Sequence, residues 1–414
     1  MPMLQSSSSS ISSTMPDTFW WVMPLIVVFC ALYLSGCASN PTQKKNSSSK
    51  AAPIDVLFVA YDNGDGRAFL RALPELAAKN IKAQVITFGP AAGLFADNNN
   101  ITQLHEQLSP EEQQQLFESR TALLPESLRS TLVKQFQPKV VITGMAHIGQ
   151  AQIARDFWNT GVWTIAFYDN LESPEGQQWV QPWLELTRPV AEELLVTTVL
   201  LKNSFPEDYT HKHRTSVVRH PALNEWQESF ANNTKASLKQ GLNLDERPVI
   251  LVAGGYGEDF QRSLAVIEEA AALRSDLQWL MTPHPRTVNT RGESTTPQPE
   301  NLRLITEVPT VTLGATADLV ITHRSTVGWL ASQMGLPVIF VRPESTTDHL
   351  MGGRIQMVNN PASLLNALHR QLDTSYSPAP MNDTAGQPSL VDIIEQRLQP
   401  PESKQPQMEV IENR

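Results

Sequence analysis

The sequence predicts an α/β protein made of two doubly wound parallel sheets in series. Three observations carry this prediction. Short, near-continuous apolar runs recur through residues 54–222 and again through 248–373, and that pattern belongs to strands buried on both faces. Most of these runs lead through a short polar or Gly/Pro loop into a segment with helical apolar spacing, so strands alternate with helices. A polar stretch, 223–247, separates the two series as a linker, and its part from Lys235 to Arg247 reads as polar and helical.

In the first series "IDVLFVAY" opens at Ile54 as a buried strand, and the loop "DNGDG" follows. A helix comes next, with Phe69, Leu70, Leu73, Leu76 and Ala77 on one side. "AQVITF" completes a βαβ unit, and "PKVVITG", "IGQAQIARDFWNT" and "GVWTIAFYD" repeat it. "LLVTTVLLKN" and "TSVVRH" read as two more strands. Functional residues in such sheets gather at the carboxyl ends of strands. Those ends carry Asp62 to Gly66, then Gly144 and His147, then Asp169, Asn170 and Glu172. Asp62 fits a general base or a partner for hydroxyl groups. Asp65 fits a helix cap. His147 precedes a helix, where it fits a base, an anion donor or a loop residue without a role. Asp169 ends its strand at the expected cleft, or caps a turn.

The second series opens with "PVILVAGG" and continues with helix "EDFQRSLAVIEEAAAL" and strands "LQWLMTPHP" and "LRLIT". A short helix around "VPTVTLGAT", strand "ADLVITH", helix "STVGWLASQM" and strand "LPVIFV" complete it. Three loops suit an anion. Gly254 and Gly255 let phosphate oxygens approach backbone N–H groups, or simply make a tight turn. Pro283 and Pro285 fix a loop that aims His284 and Arg286 outward. At the third loop, Arg324, Ser325 and Thr326 offer a guanidinium, hydroxyls and a helix N-terminus, and Ser325 is also a natural N-cap. His284, Arg286, Arg324, Ser325 and Thr326 are expected to converge on one pocket. No HExxH and no Cys/His spacing appears, so neither a metal nor another cofactor is expected.

These motifs carry a resemblance. "TPHPR" and "ADLVITHRSTVGWLASQMGLPVIFVR" resemble the carboxy-terminal domain of GT-B-fold proteins. Those include nucleotide-sugar glycosyltransferases, glycerophosphotransferases of wall polymers and UDP-N-acetylglucosamine 2-epimerases. "PKVVITGMAHIGQAQIARDFWNTGVWTIAFYDN" resembles the first-domain segment of capsule and wall-polymer transferases. The resemblance implies two Rossmann-like domains with a cleft between them. It implies that His284, Ser325 and Thr326 bind a donor diphosphate, and Gly335-Leu336-Pro337 matches the family's "GxP". Two positions depart. His323 stands where the family has an acid, and Trp329 and Leu330 stand near its ribose-binding Glu. Glu344 is the substitute the sequence offers. The implied activity is sugar or phospho-group transfer, with His147 or Asp62 as base and a nucleotide sugar or phosphorylated glycan as ligand. Two alternatives stay open: a non-catalytic envelope lipoprotein that binds a glycan in the same cleft, and an epimerase-like enzyme.

The ends read differently. Phe19 to Leu34 is one apolar run, and Leu34-Ser35-Gly36-Cys37 resembles the bacterial lipobox. That implies a signal peptide over 1–36, a lipid anchor on Cys37 and a flexible tether over 37–53. Ala38 rather than Asp implies the outer membrane, facing the periplasm. The alternative is an uncleaved inner-membrane anchor with a cytoplasmic domain. No Lys or Arg precedes the run, while Lys44, Lys45 and Lys50 follow it. Residues 374–414 read as a mostly disordered tail with one helix, "SLVDIIEQRL". The formal net charge is −10 and no long basic block appears, which argues against nucleic acid as a partner.

Overall fold

The structure is a computed structural model, and it describes residues 53–95, 101–175, 177–185, 190–212, 214–284, 298–344, 355–372 and 386–399. Cys37, the signal segment, the tether and Arg286 lie outside the described residues. The first sheet contains β1 (Val56–Ala60), β2 (Ala83–Thr87), β3 (Ile101–Gln103), β4 (Val140–Gly144), β5 (Trp163–Tyr168), β6 (Glu193–Val196) and β7 (Arg214–Val217). The second contains β8 (Val249–Ala253), β9 (Gln278–Thr282), β10 (Leu302–Leu304), β11 (Leu319–Thr322), β12 (Val338–Val341) and β13 (Gln356–Val358). The strand orders are β3-β2-β1-β4-β5-β6-β7 and β10-β9-β8-β11-β12-β13, and every pairing is parallel. Both halves are therefore doubly wound.

Side-chain alternation explains why the strands read as unbroken apolar runs. Val56, Phe58 and Ala60 enter one core, and Leu57, Val59 and Tyr61 enter the core on the other face. The second sheet repeats this, with Ile250 and Val252 on one side and Val249 and Leu251 on the other. The winding order reverses between β1 and β4, and again between β8 and β11. Crevices open at the carboxyl ends of such strand pairs. Here those ends are followed by Asp62, Met145, Gly254 and His323.

Two expectations change. "LLVTTVLLKN" is not one strand. It splits into β6 and the helix Val199–Ser204, which Thr198 caps by accepting the Leu201 N–H at 3.1 Å. The segment 223–247 holds a helix that its sequence did not announce, Leu223–Asn232, ahead of the helix Lys235–Gly241, which falls where the sequence reads as polar and helical. Trp226 is buried and lies against Gly314, where an added Cβ would sit 2.7 Å from the indole.

One apolar cluster joins the halves. It contains Ala166, Tyr168, Leu194 and Val196 of the first sheet with Leu251, Leu280, Val320 and Phe340 of the second. The helix Leu390–Leu398 then returns to the first half. Its Leu390, Val391, Ile393 and Ile394 are buried with Val56, Phe58 and Phe69. Arg397 grips the fully buried Glu193 through two hydrogen bonds, at 2.7 and 3.1 Å. Among the described residues no helix is long and apolar enough to cross a membrane.

Candidate active site

The first half contributes carboxylates. Asp62 caps the helix Asn63–Ala78 and accepts the Asn63 N–H at 2.8 Å. Its Oδ2 pairs with the Arg120 guanidinium. Asp65 is fully buried beneath it. Asp65 accepts the Asp62 N–H at 2.9 Å, the Tyr61 N–H at 3.3 Å and the Gln150 side-chain N–H at 2.6 Å. Asp65 and Asp62 form a capping box, so the reading of Asp65 as a cap agrees with the geometry.

Two glycines let these groups approach the main chain. A Cβ on Gly64 would lie 1.9 Å from Asp169 Oδ2, and one on Gly144 would lie 1.8 Å from Asp65 Oδ2. Asp169 therefore sits against the Asp62 loop. Burial first, and the neighbouring Asp62 charge second, push its carboxyl up to about 6. Burial, with Asp169 and Asp62 nearby, also holds Asp65 well above the usual carboxylate range. Asp169 is thus a carboxyl that titrates about one pH unit below neutrality, beside Asp62, whose Oδ2 faces the Arg120 guanidinium. Carboxyl pairs whose environments differ in this way divide acid and base roles.

His147 is not free to join them. Its Nδ1 accepts the Gly149 N–H at 2.8 Å, and its Nε2 donates to the Ser119 carbonyl at 2.9 Å. The ring is buried 4.3 Å from the Tyr61 ring, and burial pushes its pKa down to about 4. With both nitrogens used, His147 has no lone pair for an incoming hydroxyl and no spare N–H for an anion. The expectation of a base or anion donor there is corrected to a cap. That cap fixes the backbone from which Arg120 projects, because the Ile148 N–H also donates to the Arg120 carbonyl at 2.9 Å.

Arg120 reaches the second half. Its Nη2 lies 3.4 Å from the Tyr256 hydroxyl, and its guanidinium stacks 4.8 Å from the Trp179 ring. The Tyr256 ring is 4.6 Å from that of His284. Asp62, Arg120, Tyr256 and His284 therefore form a continuous path between the halves.

A second crossing centres on Arg324. Its Nε donates to His323 Nε2 at 2.8 Å and its Nη2 to Asp259 Oδ2 at 2.7 Å. Glu344 lies 3.5 Å away and Glu172 of the first half 3.7 Å away. His323 is buried with Nδ1 facing Ser263 Oγ at 2.7 Å and the Val341 carbonyl at 3.2 Å. This assigns the proton to Nδ1 and leaves Nε2 to accept from Arg324. Burial lowers the His323 pKa. Ligand atoms of Asp259, His323 and Glu344 lie within 4.8 Å of one another, but the Arg324 guanidinium already donates into that cluster.

The remaining anion loops divide. Ser325 caps the helix Thr326–Gln333 by accepting the Val327 N–H at 3.2 Å, and no acid stands in that first turn. In contrast, Glu258 and Asp259 occupy the first turn of the helix Gly257–Leu273 and offset its positive end. Gly254 donates its N–H to the Thr282 carbonyl at 2.9 Å, and a Cβ there would lie 2.2 Å from the same oxygen. A Cβ on Gly255 would lie 2.7 Å from the Phe260 ring. Gly254 therefore makes a close backbone contact instead of a phosphate cradle. The structure brings Arg324, Glu344 and His323 together, Asp62 and Asp169 together, and His284 to Tyr256.

Arg120, Tyr256, Asp259 and Gln150 are the residues that sequence reasoning missed. Arg120 has partners 58 and 136 positions away, and its own segment carries no strand or glycine signal. Tyr256, an aromatic inside "GGYG", was the nearest thing to a visible cue.

No protein-family profile matches this chain, and no curated protein matches its sequence. Solved structures match its fold. A putative UDP-N-acetylglucosamine 2-epimerase from Listeria monocytogenes superposes with a TM-score of 0.60 at 12% identity, covering 80% of this chain and 93% of that one. The UDP-GlcNAc 2-epimerase of Methanocaldococcus jannaschii, solved with UDP-GlcNAc and UDP, gives 0.58 at 15% identity, covering 80% and 96%. MurG from Acinetobacter baumannii gives 0.51 at 13% identity, covering 83% and 100%. Two all-parallel sheets with these neighbours define the GT-B-like two-domain fold, which UDP-GlcNAc 2-epimerases and GT-B glycosyltransferases share.

Proposed function

We propose that this chain is a membrane-anchored GT-B-like transferase. It moves a sugar, or a related phospho-group, from a nucleotide-activated donor to an envelope polysaccharide or glycolipid. One observation carries the reading. Asp62 follows β1 at one switch point, and Asp169, at the end of β5, packs against its loop with its carboxyl raised to about 6. An acid-free helix N-terminus with Arg324, Ser325 and Thr326 lies at the other, and direct contacts bridge the two. In this reading Asp62 takes the proton of the acceptor hydroxyl as its oxygen attacks the anomeric carbon. The bond from that carbon to the donor phosphate breaks, and its electrons leave with the diphosphate. Arg324 and the helix N-terminus stabilise that charge, while Asp169 accepts a hydrogen bond from a sugar hydroxyl.

A second reading, epimerase-like chemistry on a UDP-sugar, is favoured by the same pair. Removing and returning a carbon-bound proton requires a base and an acid in one place. Calorimetry on the full chain with UDP, CDP and UDP-GlcNAc tests the donor site. Arg324→Ala is expected to weaken binding about ten- to a hundredfold. If none of these binds at millimolar concentration, a glycan-binding envelope lipoprotein replaces both enzyme readings. A donor whose sugar changes with no acceptor present identifies the epimerase-like reading. The anchor belongs to the proposal too, supported by the apolar run ending in "LSGC", with the outer membrane as its destination. Radiolabelled palmitate should enter the wild type and not Cys37→Ser, and membrane fractionation separates the outer-membrane placement from an inner-membrane one.

A further inference from the structure

His323 follows β11, and its two ring nitrogens face different partners. A guanidinium only donates, so the Arg324 Nε–H, 2.8 Å away, requires Nε2 to accept. On the other side Nδ1 carries the proton towards the Ser263 hydroxyl at 2.7 Å and the Val341 carbonyl at 3.2 Å. Ser263 Oγ itself donates to that carbonyl at 2.8 Å. Ser263 is fully buried in the helix Gly257–Leu273, and Val341 ends β12. The imidazole is thus fixed from behind by two elements and presents its lone pair to the residue that follows it.

The contrast in exposure gives this bond its weight. His323 is 6% exposed, whereas the Arg324 side chain is 37% exposed. A long side chain left to itself samples many rotamers, and a ligand must order it on binding. Here Nε is held by His323 and Nη2 by Asp259 at 2.7 Å, and two anchors fix the orientation of a planar group. Nη1 makes no hydrogen bond or ion pair among the described residues. The neutrality of the ring matters too. Glu344 Oε1 lies 3.4 Å from Nε2 and 3.5 Å from Nη2. A further carboxylate at position 323 would stand against Glu344 and offset more of the charge that an anion seeks. An imidazole supplies the acceptor without charge, and burial, which lowers its pKa, keeps it neutral.

We propose that His323 is a positioning residue for the anion site: its Nε2 holds Arg324 by Nε and so presents Nη1, already ordered, to the phosphate groups of a donor. The inference rests on Arg324 being the anion residue of the proposed site. It adds that a buried, uncharged side chain behind Arg324 sets how tightly the site binds.

The experiment compares full-length wild type, His323→Gln, His323→Asn and Arg324→Ala in two arms. A Gln side chain brings an amide oxygen about as far as Nε2, whereas Asn reaches only as far as Nδ1. Asn therefore keeps the anchor on Ser263 and Val341 and loses the acceptor for Arg324. In calorimetry with inorganic pyrophosphate, His323→Gln should bind within about twofold of wild type. His323→Asn should bind about two- to tenfold more weakly, the cost of ordering one long side chain on binding. Arg324→Ala should bind more weakly still. A histidine that serves only to hold the fold would give the reverse order, with Asn the better replacement. The second arm is nitrogen-15 NMR of labelled arginine without ligand. The Arg324 Nε–H resonance, identified by its loss in Arg324→Ala, should stand apart from those of exposed arginines in wild type and His323→Gln, and join them in His323→Asn. His323→Gln that binds no more tightly than His323→Asn, while Arg324→Ala is weakened, overturns the positioning and leaves the donor-site reading standing. A wild-type resonance among those of exposed arginines overturns the positioning whatever binds, and decides it alone if the His323 variants fail to fold. If no protein binds pyrophosphate, the donor-site reading falls and the positioning falls with it.

Discussion

Asp169 and His147 titrate with opposite consequences. Asp169 has its carboxyl raised to about 6, against about 3.9 in an unfolded chain. Between those values the folded state holds the extra proton, so its contribution to stability falls as pH rises, and the full cost is present above about 6. Asp169→Asn should therefore be more stable than wild type at neutral pH by about 3 kcal/mol. That advantage should vanish below about pH 4, and urea midpoints across the range would show it. His147 is held down at about 4, against about 6.5 unfolded. Its contribution is complete above about 6.5 and is lost as pH falls through about 4. His147→Ala removes the Gly149 cap and strands the Ser119 carbonyl. A loss of about 2–4 kcal/mol is expected at neutral pH, shrinking in acid. At this scale Asp62, Asp65 and Asp169 were legible because an apolar strand announces its end wherever polarity begins. His147 was misread because a histidine before a helix looks the same in sequence whether its nitrogens are open or spent.

The helix Leu390–Leu398 shows what an element's own pattern conveys. Its apolar spacing marked it as a helix within a polar tail, and Ser389 with Asp392 forms a capping box. Where it docks was invisible, because the partner of Arg397 lies 204 positions away at Glu193. Arg397→Met should cost about 3 kcal/mol by leaving Glu193 buried with weakened pairing. Arg214 at 3.5 Å and Ser216 at 3.0 Å offset part of that loss. Adding Glu193→Gln should recover most of it, and thermal unfolding of both variants tests the pair. The misread strand at "LLVTTVLLKN" has a different cause. A short apolar run has the same composition in either state, and only Thr198 hinted at the helix start.

At the scale of the whole molecule, the cluster shared by both sheets predicts one cooperative unit. Trp329 is 1% exposed within it. Trp329→Ala should destabilise the protein by about 3–5 kcal/mol, with far-ultraviolet dichroism and tryptophan fluorescence still falling together. Separate transitions for the two probes would show that the shared cluster does not couple the halves. The succession of two parallel sheets was readable from the alternation alone, whereas this continuity was not, since no local pattern says which buried residues meet. The path of the chain has a mechanical consequence. It enters through β1, passes out to the second sheet after β7, and comes back as the helix Leu390–Leu398 on the first core. The second half is thus a loop of folded chain spliced between two attachments on the first. That helix packs on the helix Asn63–Ala78, and Lys79 and Glu395 bridge them at 2.8 Å. The half that carries Arg324 is thus tethered at both of its ends, and deleting the returning helix would free one of them.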